Sequence, residues 1–160
     1  MKHQDANFHE SKVQDAHFEQ RMRDSFALQP AMATLGVSIG SVAAGRVVLL
    51  MAHRVNLTQQ HGFLHAGMVA TALDSACGYA AFTLMPAGAG VLTIEFKINL
   101  LAPARGPLLQ FEGQVTKAGR TISVVDGQAF EFEPGSAQRK RVATMTATIM
   151  TVTGRDDVRH

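Results

Sequence analysis

Across eighteen positions, residues 67–84 contain no proline and one charged side chain, Asp74, among Ala, Leu, Met and small residues. Such a segment reads as a helix that must be surrounded, because it has no polar face to give to solvent. Nearly everything after it reads as strand, over residues 91–101, 108–117, 121–132 and 139–152. Pro103 and Gly106, then Gly119, then Pro134 and Gly135 separate these strands. In the last, Ala143, Met145, Ala147 and Ile149 alternate with Thr144, Thr146, Thr148 and Met150, the signature of a strand with one covered face. Upstream, strands at 35–41 and 46–53 form a hairpin turned at Gly45. Residues 15–28 predict a helix with Phe18, Met22, Phe26 and Ala27 on one side, and Pro30 opens a short turn or second helical piece. This order gives an α+β domain, a mostly antiparallel sheet around one central helix. A doubly wound nucleotide fold needs strands and helices to keep alternating, and they stop after Leu84.

At 160 residues the chain fits one domain, over 30–152, preceded by a polar tail and helix at 1–29 and followed by a tail at 153–160. Hydrophobic residues make up 46% and charged residues 18%, which leaves room for an extensive subunit interface. A formal charge of +2 is too weak a bias for nucleic acid. The single cysteine, Cys77, rules out an intrachain disulfide and a cysteine-based zinc cluster. With no apolar signal core at the N-terminus and no uninterrupted spanning segment, the expected compartment is the cytoplasm, with no membrane partner.

The chemistry concentrates around the central helix. His61, Gly62, His65 and Gly67 mark the loop leading into it, and with His65 near the N-cap, the Ala66 and Gly67 N–H groups lack intrahelical partners. That end of a helix favours negative charge, including a carbonyl oxygen becoming an oxyanion. Asp74 lies eight residues beyond Ala66, on a low-relief face with Gly67, Ala70, Thr71, Gly78 and Ala81. Val69, Leu73, Cys77, Ala80 and Leu84 form the opposite face, against the sheet. Burial is expected to raise the acid's pKa toward the range of a general base, unless Thr71, Ser75 or Tyr79 satisfies it in a purely structural role.

Eight helical residues at about 1.5 Å each put Asp74 about 12 Å from its own helix start. A base and an oxyanion donor serving one carbonyl must be far closer. If both are catalytic, Asp74 meets the Ala66 N–H of a second chain whose helix runs antiparallel, and a homodimer carries two equivalent shared sites.

Residues 59–79, the stretch LTIEFKINLLAPARG at 92–106 and AGRTISVVDGQAFE at 118–131 together resemble the PaaI-like acyl-CoA thioesterases of the hotdog superfamily. The resemblance covers about residues 30–152. It implies a hotdog fold, with a curved antiparallel sheet wrapping the helix, two subunits sharing a continuous sheet, and tetramers built from dimers. The family's His-Gly-Gly helix start reads His65-Ala66-Gly67 here, and alanine keeps the backbone N–H that the middle position contributes. By the same resemblance Asp74 activates water or attacks the thioester, Gln59 orients the nucleophile or thioester, Thr93 positions the hydrolytic water, and His65 holds the loop.

Thioester hydrolysis needs a polarised carbonyl, an aligned water, a proton acceptor and an apolar slot for the acyl tail. Phe63, Leu64, Phe82, Met85 and the start of the strand at Val91 are candidate tail contacts. Arg105, Arg120 and the cluster Arg139-Lys140-Arg141 are candidates for the coenzyme A phosphates. No cofactor is expected. His61 and His65 have i,i+4 spacing, but Gly62 and the loop argue against a rigid metal pair, and Ser75 and Cys77 have no histidine at a convincing local spacing for a triad. Ala87-Gly88-Ala89-Gly90 lacks the helix a dinucleotide loop requires. A hotdog 3-hydroxyacyl-thioester dehydratase is the rival enzyme, and a non-catalytic acyl-CoA-binding protein the rival of another class.

Overall fold

In the computed structural model, which describes residues 13–155, 157 and 158, the apolar run is the helix α3, Ala66–Phe82. It follows α1 (Phe18–Ala27), α2 (Pro30–Leu35), β1 (Val37–Ala43), β2 (Arg46–Ala52) and a single 3-10 turn at Val55–Leu57. Strands β3 (Gly90–Leu100), β4 (Leu108–Lys117), β5 (Ile122–Phe132) and β6 (Arg139–Val152) complete the chain. All pairings are antiparallel in one six-stranded sheet ordered β1-β2-β4-β5-β6-β3, so β1 and β3 are its edges. The fold is a hotdog, α+β, as the sequence leads one to expect. The tail expected before residue 13 lies outside the described residues.

The helix meets the sheet through Val69, Leu73, Cys77 and Ala80, joined by Ala72 and Ala76, all buried. Opposite them stand the inward residues of the three central strands, among them Leu109, Phe111 and Val115, Val125 and Ala129, and Met145, Ala147 and Ile149. Contact is closest at Gly113 and Gly127, which are cross-strand partners. A Cβ on Gly113 would lie 2.3 Å from the Ala76 carbonyl oxygen, and one on Gly127 would lie 2.8 Å from Cys77 Sγ. These two glycines are the floor on which α3 rests.

Helix α1 closes the far end of α3. Met22 and Phe26 are buried as their spacing predicts, but Ser25 takes the inward position expected of Ala27, which is exposed. Arg21 donates to the Phe82 and Met85 carbonyl oxygens at 3.3 and 2.8 Å, pairs with Asp15 at 2.7 Å and covers the Phe82 ring at 4.2 Å. A cation at a helix C-terminus satisfies orphaned carbonyls and complements the dipole.

The backbone contact at Gly113 yields a stability prediction. Gly113→Ala should destabilise by about 3 kcal/mol, the upper end of overpacking costs, since a helix backbone cannot step aside as a side chain can. Gly127→Ala, which meets the Cys77 and Leu73 side chains, should cost less. Urea unfolding of the two variants checks the order; a Gly113→Ala midpoint equal to that of the parent contradicts it.

Candidate active site

His65 is the N-cap of α3, in extended backbone at φ −64° and ψ 135°, and its ring accepts the Gly67 N–H at Nδ1, 3.0 Å away. This corrects the expectation that Ala66 and Gly67 both offer free donors. The cap uses the Gly67 N–H, and the Ala66 N–H alone has no partner among the described residues. The loop before it is tied down by backbone bonds from Gln59 N to Phe63 O and from Gly62 N to Gln59 O. The Gln59 side-chain carbonyl accepts the His61 N–H at 2.9 Å, which leaves the amide nitrogen as the donor end of that side chain.

Gln59, Phe63, Leu64, His65 and Ala66 line one cleft of 640 Å³, with Val69 behind them. Its other wall is Leu100, Leu101, Ala102, Pro103, Ala104 and Val142. The sequence reading assigned no role to that wall, although Leu100 and Leu101, both 54% exposed, signal it as two large apolar side chains at the end of a strand. Arg105 is at the same end: its guanidinium lies 4.5 Å over the Phe63 ring, and its backbone N–H donates to the Glu131 carboxylate at 2.8 Å.

Asp74 does not line this cleft. It is half-buried on the flank of α3, where Thr93 of β3 donates its hydroxyl to Oδ1 at 2.8 Å. The three helix neighbours that could have satisfied it do not. Thr71 bonds the Gly67 carbonyl at 2.7 Å, Tyr79 shares a 3.2 Å bond with Ser25, and no bond joins Ser75 to Asp74. Burial raises the Asp74 pKa above the ordinary 3.8, and the Thr93 hydrogen bond partly opposes it. The remaining candidates are scattered. Gly67 is half-buried at the helix start. Phe82, offered as an acyl contact, is instead fully buried in the core beneath Arg21, because the last turn of α3 points inward. Arg120 lines a separate cavity with Ala81, Leu84 and Pro86. Arg139 is paired with Glu112 and stacked at 4.4 Å on Phe130, while Arg141 donates to Gln128 at 3.0 Å, both on the outer side of the sheet.

A thiol nucleophile loses ground. Burial, with Asp74 and Asp126 nearby, pushes the Cys77 thiol far up, so its thiolate is inaccessible near neutrality. Among the described residues no three metal-ligating side chains converge.

A thioesterase family protein from Silicibacter pomeroyi superposes with a TM-score of 0.82 at 54% identity, over 86% of this chain and 99% of that one. The chain belongs to the thioesterase superfamily. The model of that superfamily matches residues 61–138. The E. coli PaaI protein, from the phenylacetic acid degradation operon, shares the fold at TM-score 0.77 and 21% identity, over 89% of this chain and 98% of its own. A protein of Saccharolobus solfataricus named as a candidate esterase is 37% identical over 93 residues, 58% of this chain and 65% of its own length. A similarly named protein of Halobacterium salinarum is 32% identical over 59% of this chain and 66% of its own. The chain thus spans just under two thirds of these two relatives. No helix among the described residues of this thioesterase-superfamily chain is long and apolar enough to cross a membrane.

The raised pKa fixes the sign of two pH effects. Folding makes Asp74 hold its proton more tightly, so its ionisation disfavours the fold, and this loss sets in as pH rises from 3.8 through the folded value. Asp74→Asn should therefore gain stability over the parent above that window and not below it. Thr93→Val removes the opposing hydrogen bond and should move the Asp74 titration, followed by carboxyl carbon NMR, to still higher pH. An unchanged titration would show that the bond carries no weight.

Proposed function

We propose that this chain is an acyl-CoA thioesterase, hydrolysing a thioester to a carboxylic acid and coenzyme A. The observation that carries the reading is Asp74: a half-buried acid with a raised pKa and a single hydroxyl partner, on an accessible flank of a helix whose start offers an unpartnered N–H. As general base, Asp74 takes a proton from the water that attacks the thioester carbonyl, and the Thr93 oxygen, its hydrogen donated to Asp74, accepts from the same water. As nucleophile, Asp74 attacks the carbonyl and expels the coenzyme A thiolate by breaking the C–S bond, and water then hydrolyses the mixed anhydride. In either route the Ala66 N–H stabilises the oxyanion and the Gln59 amide orients the thioester.

Asp74 and Ala66 lie about 12 Å apart on their own helix, by the rise per residue, so one carbonyl draws on two chains. Strand β3 supports the dimer. It is an edge strand with one row of backbone groups unpaired, and Ile94, Phe96 and Leu100 on it are 53%, 43% and 54% exposed. An apolar edge of this kind favours pairing with another strand. A second β3 would extend the sheet and bring the two α3 helices side by side, and dimers then pair into a tetramer. Phe63 and Leu64 contact the acyl-pantetheine arm in the cleft. Of the four candidate arginines, Arg105 is best placed for the coenzyme A phosphates, since it borders the cleft and has no acidic partner for its guanidinium among the described residues.

The dehydratase reading needs a histidine and an acid acting together on one α-proton, whereas the His65 Nδ1 is committed to its helix cap. Thiol release from a panel of short, medium, long and aromatic acyl-CoAs tests the proposal, and interconversion of enoyl thioesters without thiol release would overturn it. Asp74→Asn should lower turnover by about 100-fold or more. Thr93→Ala should lower it less, and a larger loss in a folded Thr93→Ala protein would reverse the two roles.

A further inference from the structure

Gly78 lies one helical turn beyond Asp74 on the same face of α3, and its presence there has no cause within the chain. A glycine inside a helix costs about 1 kcal/mol relative to alanine. Gly113 and Gly127 have a reason to be glycine, because any Cβ would strike α3. Gly78 does not: its φ is not positive, and outside the helix's own backbone a Cβ would meet only Val91 Cγ2, at 4.0 Å, among the described residues. The residue is nevertheless buried. Space that would take a methyl group without a clash has been left beside the acid.

The geometry of β3 says what the room adjoins. Thr93 and Val91 are two residues apart on that strand and face the same side, as Asp74 and Gly78 do on the helix. Four helical residues advance about 6 Å and two strand residues about 6.6 Å. The two steps match, so Gly78 faces Val91 as Asp74 faces Thr93: the Thr93–Asp74 bond is observed, and Val91 Cγ2 is the atom a Cβ at position 78 would meet. Between α3 and β3 there is thus a polar pair and, one turn deeper, an apolar pair with one side chain missing.

We propose that Gly78, with Val91, sets the size of acyl group the enzyme accepts. It leaves space for the carbons beyond the thioester carbonyl while that carbonyl stays within reach of Asp74 and Thr93. The proposal rests on the thioesterase reading above and makes Gly78 a specificity-determining residue: bulk at position 78 should exclude broad acyl groups, such as aryl or β-branched ones, ahead of acetyl.

The test compares Gly78→Ala and Gly78→Val with the parent on acetyl-CoA, hexanoyl-CoA and phenylacetyl-CoA, reading kcat/KM for thiol release. The phenylacetyl-to-acetyl ratio should fall about 10-fold in Gly78→Ala and about 100-fold in Gly78→Val, the discrimination that one or a few misplaced methyl groups produce. An equal fall on all three substrates, or no fall, overturns the assignment. Gly78→Ala should also melt at or above the parent temperature and keep the parent's mass in light scattering. Unfolding or dissociation of that variant would mean that core packing or a neighbouring helix uses the space, and would overturn the proposal as well. A parent that releases no thiol from any acyl-CoA refutes the thioesterase reading itself. The melting and mass measurements would then still decide whether the room at Gly78 is open.

Discussion

The contact between α3 and the paired glycines Gly113 and Gly127 governs the rest of the molecule. A helix can lie with its Ala76 carbonyl where a Cβ would otherwise be only if both facing strands give up their side chains. Seated that deeply, α3 commits Val69, Leu73, Cys77 and Ala80 to the sheet. The rotation of the helix about its axis is then fixed, and the side chains one quarter-turn away fall on its flank. Asp74 is one of them. Its direction toward β3 is thus set by glycines on other strands.

On that flank two terms oppose each other. Burial favours the neutral acid, and the hydroxyl of Thr93 favours the carboxylate. Charged partners would pin the acid in its ionised form, and full burial would keep it protonated; a half-buried acid with one neutral donor is held in neither form. At the helix start the same economy of partners holds. The His65 ring closes one of the orphaned N–H groups and leaves the neighbouring Ala66 N–H pointing out beside a cleft. The helix therefore carries a half-buried acid and an unpartnered N–H, which in the proposed roles of proton acceptor and oxyanion donor lie too far apart to serve one carbonyl. The proposed sharing of a site between two copies across the β3 edge would resolve this.

Much of the architecture was legible in sequence because it depends on local period. Residues 143–149 of β6 alternate between apolar and Thr side chains as they alternate in burial, and the apolar run at 67–84 ends within two residues of α3 at each end. What was not legible depends on contacts between distant residues. Gly113 and Gly127 carry no local sign of a helix above them. The face of β3 cannot be read by counting either, since a bulge at Ile94 places Thr93 and Phe96 on one side, three residues apart where strict alternation would separate them. Phe82 and Phe63 look alike as apolar residues near a glycine-rich loop and helix, yet one lies under Arg21 in the core and the other lines the cleft. The loss of the Gly67 N–H to the cap depended on the orientation of a histidine ring.

Sharing of the site between two chains is most directly tested by mixing two inactive variants. Ala66→Pro deletes only the donor, because the first helical position tolerates proline and His65 already has the extended backbone that a residue before proline adopts. Asp74→Asn deletes only the acid. After subunits of the two are exchanged in equal amounts, half of the dimers are mixed, and each holds one intact Ala66–Asp74 pair across the interface. Thiol release should then return to about one quarter of the parent rate. If both groups of a site belong to one chain, every chain in the mixture lacks one of them, and the mixture would stay as inactive as its components.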